Sequence, residues 1–155
     1  MHDTTLLQLI EDDIAPAQQL LELLQAEAVA LHGRDMPLLE NILARKQSLV
    51  VLLDQGGQRR SALLANLGLP QSREGVVAMA EQSDLGSLLI EQLDVLAALM
   101  NDCQAVNARN GQAIQLQQYT TENQIKILMG GESPSLYDAR GTTSPLSKPR
   151  ALSQA

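Results

Sequence analysis

The chain has 155 residues, a net charge of −7 and one cysteine, while aromatic residues make up 1% of it and Phe and Trp are absent. This length suits one domain, and a core without rings has to consist mainly of aliphatic side chains, which suits thin seams between helices. The acidic balance argues against the basic footprint of a nucleic-acid-binding protein. No apolar run approaches the roughly 18 residues of a membrane span. We therefore expect neither nucleic-acid binding nor membrane insertion.

The expected compartment follows from the first residues and from the cysteine count. The opening stretch MHDTTLLQLIEDD has no basic region before its apolar positions, so we expect no secretory signal. The lone Cys103 excludes an internal disulfide and a zinc cluster built on several thiolates. These features predict a cytoplasmic protein in a reducing environment.

The first predicted helix runs from about Asp3 to Leu31. Its apolar side chains recur at intervals of three and four residues, which is typical of one helical face. Pro16 lies inside the segment, where it removes a backbone donor and crowds the preceding turn, so we predict a bend there. Gly33 provides the predicted stop.

The second predicted helix begins near Asp35, with Pro37 in its first turn, and continues to Gly68. Gly56 and Gly57 interrupt its apolar pattern, at a cost of about 2 kcal/mol relative to two alanines. Because the apolar face resumes after the glycines, we predict one long helix and leave open whether it kinks.

Charge is distributed unevenly between these two helices. Residues 1–33 carry six acids and no Lys or Arg, whereas residues 36–67 carry four bases and two acids. Antiparallel pairing of the two helices would bring opposite charges together. Two solvated faces explain the same distribution and are the more common arrangement.

A connector at residues 70–83 contains a short apolar run that predicts a small helix capping the bundle end. A third long helix then runs from residue 83 or 84 to about Met129. At about 1.5 Å per residue it would reach roughly 70 Å, against about 45 Å for each earlier helix. It therefore either extends past its partners or breaks near Gly111.

The second half of the third helix keeps the helical period but loses most of its apolar side chains. Its inward stripe includes Asn107, Asn110, Gln117 and Gln124. Three explanations fit this polar seam. It is a solvent-exposed extension, it contains a buried amide that sets helix register, or it is part of a groove that a partner's amphipathic helix completes.

After Gly130 the composition changes to one rich in Gly, Ser, Pro and Thr, which cannot bury enough apolar surface to offset its ordering entropy. Tyr137 in this segment belongs either to a disordered end or to a short motif that orders on binding. We predict an all-α fold: an elongated, antiparallel, coiled-coil-like bundle of three long helices with a short connector helix. The predicted organisation is a helical domain at residues 1–130 and a flexible tail at 131–155.

No motif predicts catalysis, a cofactor or a metal site. The stretch GGQRR at residues 56–60 lacks the spacing and the Lys-Ser/Thr pair of a phosphate-binding loop, and the two histidines are isolated. Cys103 lies on the apolar face and is predicted to be a buried, structural thiol. Asp12 and Asp13 are predicted to be solvated. We expect a protein that is not an enzyme.

These features together resemble the FlgN family of flagellar type III export chaperones. The resemblance covers the long helices, roughly residues 3–130, and three local patterns carry it. The first lies in the second helix, where Lys46 stands among the leucines of the apolar face and is followed by Arg60 and then by the end of the helix. The second is NARNG at residues 107–111. The third is LYDARG at residues 136–141, which is similar to a Tyr-x-x-x-Gly element near the end of family members.

The resemblance implies a cytoplasmic chaperone without enzymatic activity. Such a chaperone covers the C-terminal amphipathic segment of hook–filament junction proteins, which are hook-associated proteins, and prevents their premature assembly. It then delivers them to the flagellar export gate and its ATPase complex. The resemblance and the polar seam together assign client binding to Asn107, Asn110, Ile114, Leu116, Tyr119, Ile125, Leu128, Met129, Leu136, Tyr137 and Gly141.

The alternative is a self-associating coiled-coil scaffold or adaptor without an export client. Its seam would need apolar side chains through the end of the third helix. Residues 107–124 do not provide them.

Overall fold

The computed structural model describes residues 1–129, and the predicted tail at 131–155 lies outside them. The described residues form four α-helices and no strand: α1 His2–Gly33, α2 Met36–Asn66, α3 Arg73–Glu81 and α4 Gly86–Leu128. The predicted all-α fold, with three long helices and a short connector helix, is confirmed. The chain divides within α4 into an N-terminal unit, Met1–Gly111, and a second unit that begins at Gln112.

A tight turn joins α1 to α2. Arg34 adopts the left-handed conformation, with φ 54° and ψ 39°, one residue after the predicted stop at Gly33. The next residue, Asp35, caps α2 by accepting a hydrogen bond from the Leu38 N–H at 3.2 Å, and Pro37 occupies the first turn of α2. The left-handed residue ends one helix and the carboxylate starts the next, so the chain reverses within a few residues.

The core of the N-terminal unit is centred on α1. Side chains of α1 are buried at helical spacing along its length, whereas α2 and α4 each contribute fewer. The main apolar cluster comprises Leu6, Leu7, Ile10, Ala17, Leu20, Leu24, Leu53, Leu64, Val76, Leu89, Leu96, Cys103 and Val106. A smaller cluster comprises Leu23, Ala30 and Ile42. As the lack of rings predicted, aliphatic seams between helices form this core.

Three interruptions foreseen in the sequence do not break the helices. α1 continues through Pro16, and the bend predicted there stays a prediction. α2 runs through Gly56 and Gly57 as the single helix that was predicted. α4 runs through Gly111, so no break in helical structure occurs at that position.

Cys103 is confirmed as a buried thiol. Its side chain is 3% exposed, and its Sγ donates to the Ala17 carbonyl oxygen at 3.6 Å. Burial raises the pKa of the thiol, and the neighbouring Asp102 carboxylate adds to this effect. Because the thiolate is the reactive form, we expect iodoacetamide at pH 8 to alkylate Cys103 slowly in the folded protein and completely in concentrated urea. Rapid alkylation without denaturant, measured by intact mass, would contradict this assignment.

Candidate functional site

An ion pair between a buried carboxylate and a partly exposed cation joins α1 to α2. The Asp13 side chain is 3% exposed, and Arg60 Nη1 donates to its Oδ2. The prediction that Asp12 and Asp13 are both solvated is therefore wrong for Asp13, whereas Asp12 is exposed and accepts a hydrogen bond from Gln8. The physical reason is Gly56. A Cβ at this position would overlap the Asp13 carboxylate, so the missing side chain provides the space that the carboxylate occupies.

A second polar cluster joins α1, α2 and α4. Glu27 is 5% exposed, and both of its carboxylate oxygens lie 3.2 Å from Lys46 Nζ. Lys46 also donates to the Asn107 Oδ1 at 3.1 Å. Asn110 Nδ2 donates to Glu27 Oε1 at 2.8 Å and to the Leu24 carbonyl oxygen at 2.9 Å. The buried glutamate thus accepts hydrogen bonds from both a cation and an amide.

The two ion pairs fix the relative direction of α1 and α2. Asp13 pairs with Arg60, while Glu27, further along α1, pairs with the earlier Lys46 on α2. The helices are therefore antiparallel, and opposite charges on the two helices pair at these two positions. Sliding one helix by a turn would leave a buried carboxylate without its cation, which is costly. Hence the pairs also specify the register.

The two asparagines predicted to bind the client lie in different environments, one exposed and one buried. Asn107 is exposed and belongs to the polar cluster through Lys46. Asn110 is 4% exposed, and its amide donates both of its hydrogen bonds within the N-terminal unit. Of the three explanations for the polar seam, a buried amide that sets the register fits Asn110. Its role in client binding, and that of Asn107, stay predictions.

The described part of the second unit is the last part of α4 and Met129, which we call the C-terminal arm, residues 112–129. Its large apolar side chains are exposed, from 37% for Ile114 to 85% for Leu128. They are Ile114, Leu116, Tyr119, Ile125, Ile127, Leu128 and Met129. All except Ile127 were predicted as client-binding residues. Three further predicted residues, Leu136, Tyr137 and Gly141, lie outside the described residues.

Ile127 was not among the predicted client-binding residues, although at about 100° per residue it lies on the same side of the helix as the predicted Leu116 and Tyr119. The side chain is 76% exposed, more than Leu116 or Tyr119. The signal was present in the sequence, since IKILM at residues 125–129 places apolar side chains on more than one side of a helix.

The N-terminal unit has an apolar groove of its own, which the sequence did not reveal. Its lining includes apolar side chains of α2 and α4, among them Val50, Leu53, Leu93, Ala97 and Met100, together with residues 71–73. Arg60, which is already paired with Asp13, is among its polar lining residues. The groove is a second apolar surface, and all of its lining residues belong to the N-terminal unit.

Within residues 1–129, none of the helices combines the length and apolarity needed to cross a membrane. In the same residues, no group of three or more His, Cys, Asp or Glu side chains is arranged to hold a metal ion.

The described residues define an all-α protein in which cations of α2 pair with buried carboxylates of α1, and α4 ends in exposed apolar side chains. The model of the FlgN protein family matches residues 1–145, so the chain belongs to the FlgN family, and the predicted resemblance is confirmed. This membership supports a flagellar chaperone role.

A solved structure agrees with this assignment. The chain is 36% identical to a Pseudomonas aeruginosa protein described as a flagella synthesis protein FlgN, whose crystal structure was determined at 1.48 Å resolution. The match covers 80% of this chain and 95% of that chain, with a TM-score of 0.68. No curated protein matches the sequence.

Proposed function

We propose that this protein is a cytoplasmic export chaperone without enzymatic activity. It binds the C-terminal amphipathic helical segment of a hook–filament junction protein, prevents premature assembly, and delivers the client to the export gate and ATPase complex. The observation that carries the proposal is the arm, where seven large apolar side chains are exposed in a member of a flagellar family. Extensive exposed apolar surface on a soluble protein marks a site that a partner covers.

The exposed apolar side chains of the arm suit the binding of amphipathic helical segments of a client. Burying an exposed leucine or isoleucine contributes about 1.5–3 kcal/mol, so a few anchors suffice for micromolar affinity after the cost of association. Leu116, Tyr119, Ile125 and Leu128 are the main anchors proposed. Asn110 donates hydrogen bonds to Glu27 and to the Leu24 carbonyl oxygen, which supports a register-setting role, and its part in client binding stays a prediction.

Leu128→Asp tests the proposal. Because Leu128 is 85% exposed, the substitution should leave the melting temperature within about 2 °C of the parent. Placing a carboxylate in the client interface should weaken binding by about tenfold or more. Binding is measured by calorimetry with a hook–filament junction protein from the same organism, and melting by circular dichroism.

The matched control is Leu64→Ala in the core, where Leu64 is 3% exposed. This substitution should lower stability by about 2–5 kcal/mol while client affinity, measured below the melting transition, is retained. If Leu128→Asp lowers the melting temperature as Leu64→Ala does, Leu128 belongs to a core and the client-binding surface lies elsewhere.

The scaffold alternative predicts a different solution size. A chaperone forms a stoichiometric complex with its client, whereas a scaffold forms a stable homo-oligomer that ignores it. Light scattering coupled to gel filtration, with and without the junction protein, separates the two. The polar cluster around Asn110 interrupts the apolar seam that a continuous coiled coil needs, which favours the chaperone.

A further inference from the structure

The exposed apolar side chains of the arm fall on two opposite faces of the helix. At about 100° per residue, one group clusters on one side, and a second group lies about half a turn away. The first face comprises Ile114, Ile125, Leu128 and Met129, and the second comprises Leu116, Tyr119 and Ile127. The Met129 N–H bonds to the Ile125 carbonyl oxygen at 3.0 Å, so the helical geometry extends to the last of these residues.

A single straight helix cannot cover both faces. Packed helix axes lie about 8–10 Å apart, and an amphipathic helix presents one apolar stripe to one neighbour. A helix on the first face would leave Leu116, Tyr119 and Ile127 in water. Complete burial of the arm therefore needs two helical segments, one on each side.

The charge of the arm indicates what kind of partner segment would bind to it. Residues 112–129 contain one acid, Glu122, and one base, Lys126, so the arm is neutral in a chain of net charge −7. Apart from these two residues and one alanine, the positions between the two apolar faces hold Gln, Thr and Asn. A neutral surface of amides and hydroxyls selects partners by apolar contact and hydrogen bonds, with little help from long-range charge.

A second copy of the protein, or its own residues 130–155, would cover the arm less well than a client. A second copy also carries a charge of −7, so self-association works against like-charge repulsion. Residues 130–155 contain Pro134, Pro145 and Pro149 and no run of large apolar residues at helical spacing. Their sequence therefore does not predict an amphipathic helix that could cover either face of the arm.

We propose that the client binds the arm from both sides with two separate amphipathic helical segments. In each segment, the residues that flank the apolar face are polar and uncharged. This inference rests on the proposed chaperone function and specifies the partner's architecture. It distinguishes a client that surrounds the arm from a client that adds one helix to one groove.

The first test is site-specific crosslinking in the full-length protein. A benzophenone amino acid is placed at position 125, on the first face, or at position 127, on the second, with the hook–filament junction protein co-expressed. Mass spectrometry then identifies the crosslinked peptides. We expect the two positions to capture two non-overlapping client segments. Capture of one and the same segment from both positions, or of residues from this chain at either position, would overturn the inference.

The second test compares three neighbouring substitutions that add the same charge: Ile125→Asp, Ile127→Asp and Gln124→Asp. Gln124 is exposed and lies between the two faces. We expect each isoleucine substitution to weaken client binding by about tenfold or more, and Gln124→Asp by less than about threefold. Raising the salt concentration from about 50 to 300 mM should change the parent affinity by less than about threefold.

The outcomes separate this inference from the proposed function. Loss of client affinity in only one isoleucine variant, or a steep dependence of that affinity on salt, overturns the inference that two segments bind the arm. Neither result contradicts the proposed chaperone function. Unchanged client binding in both isoleucine variants, with no client crosslink from either position, removes the arm as the client site and overturns both.

Discussion

Gly56→Ala is expected to destabilise the N-terminal unit by about 2–4 kcal/mol, although alanine is the better helix former by about 1 kcal/mol. The new Cβ would overlap the Asp13 carboxylate, and the short Asp13 side chain is held by Arg60. The carboxylate therefore has to leave its partner or the helices have to separate. Either change leaves a buried charge without its cation. Urea unfolding followed by circular dichroism measures the difference.

The adjacent glycine provides the matched control. A Cβ at Gly57 would lie 3.7 Å from Arg60 Nη2, an ordinary van der Waals distance. Gly57→Ala should therefore stabilise the protein by about 0.5–1 kcal/mol through helix propensity. If both alanine variants stabilise the protein equally, Gly56 is not reserved for the carboxylate.

A double variant tests the mechanism behind the Gly56 prediction. Asp13→Ala removes the carboxylate that the new Cβ would meet, so Gly56→Ala made in that background should become neutral or stabilising. This change of sign is a coupling between residues that are in contact. Additive effects would show that Gly56→Ala acts through something other than Asp13.

The helices themselves were predictable because their signals are local. Apolar spacing identified α1, α2 and α4, and the short apolar run after Pro70 identified α3. The burial of Asp13 was not predictable, because it depends on Gly56 of another helix. In the sequence, Gly56 appears only as a cost to α2. Its benefit exists only when the two helices are aligned, and helical periodicity contains no information on that alignment.

The candidate site was predictable in part for a similar reason. The exposed apolar side chains of the arm follow from the sparse pattern after Val106, and all but Ile127 were identified. The asparagines were harder, since an amide on an inward stripe is either buried and paired or left for a partner. Lys46, Arg60 and Asn110, which carried part of the family resemblance, all donate hydrogen bonds to buried carboxylates of the N-terminal unit.

Asn110→Ala is accordingly expected to lower the free energy of unfolding by about 2–4 kcal/mol. The substitution removes a hydrogen bond to the Glu27 carboxylate and another to the Leu24 carbonyl oxygen, both in a buried setting. Hydrogen bonds to charged groups contribute more than neutral ones, and Glu27 would keep only Lys46 as a partner within this cluster. Asn107→Ala is the matched control. Asn107 is exposed, so losing its contact with Lys46 should cost less than about 1 kcal/mol.

Client affinity then decides between the two roles of Asn110. If the amide acts within the N-terminal unit, Asn110→Ala should bind the hook–filament junction protein within about twofold of the parent at temperatures where the variant is folded. Loss of affinity with unchanged stability would place Asn110 in the client interface, and the register-setting account would be wrong. Asn110→Asp sharpens the test, because a second carboxylate beside Glu27 adds like-charge repulsion in a buried site. It should therefore destabilise the protein at neutral pH more than Asn110→Ala does, which no client contact explains.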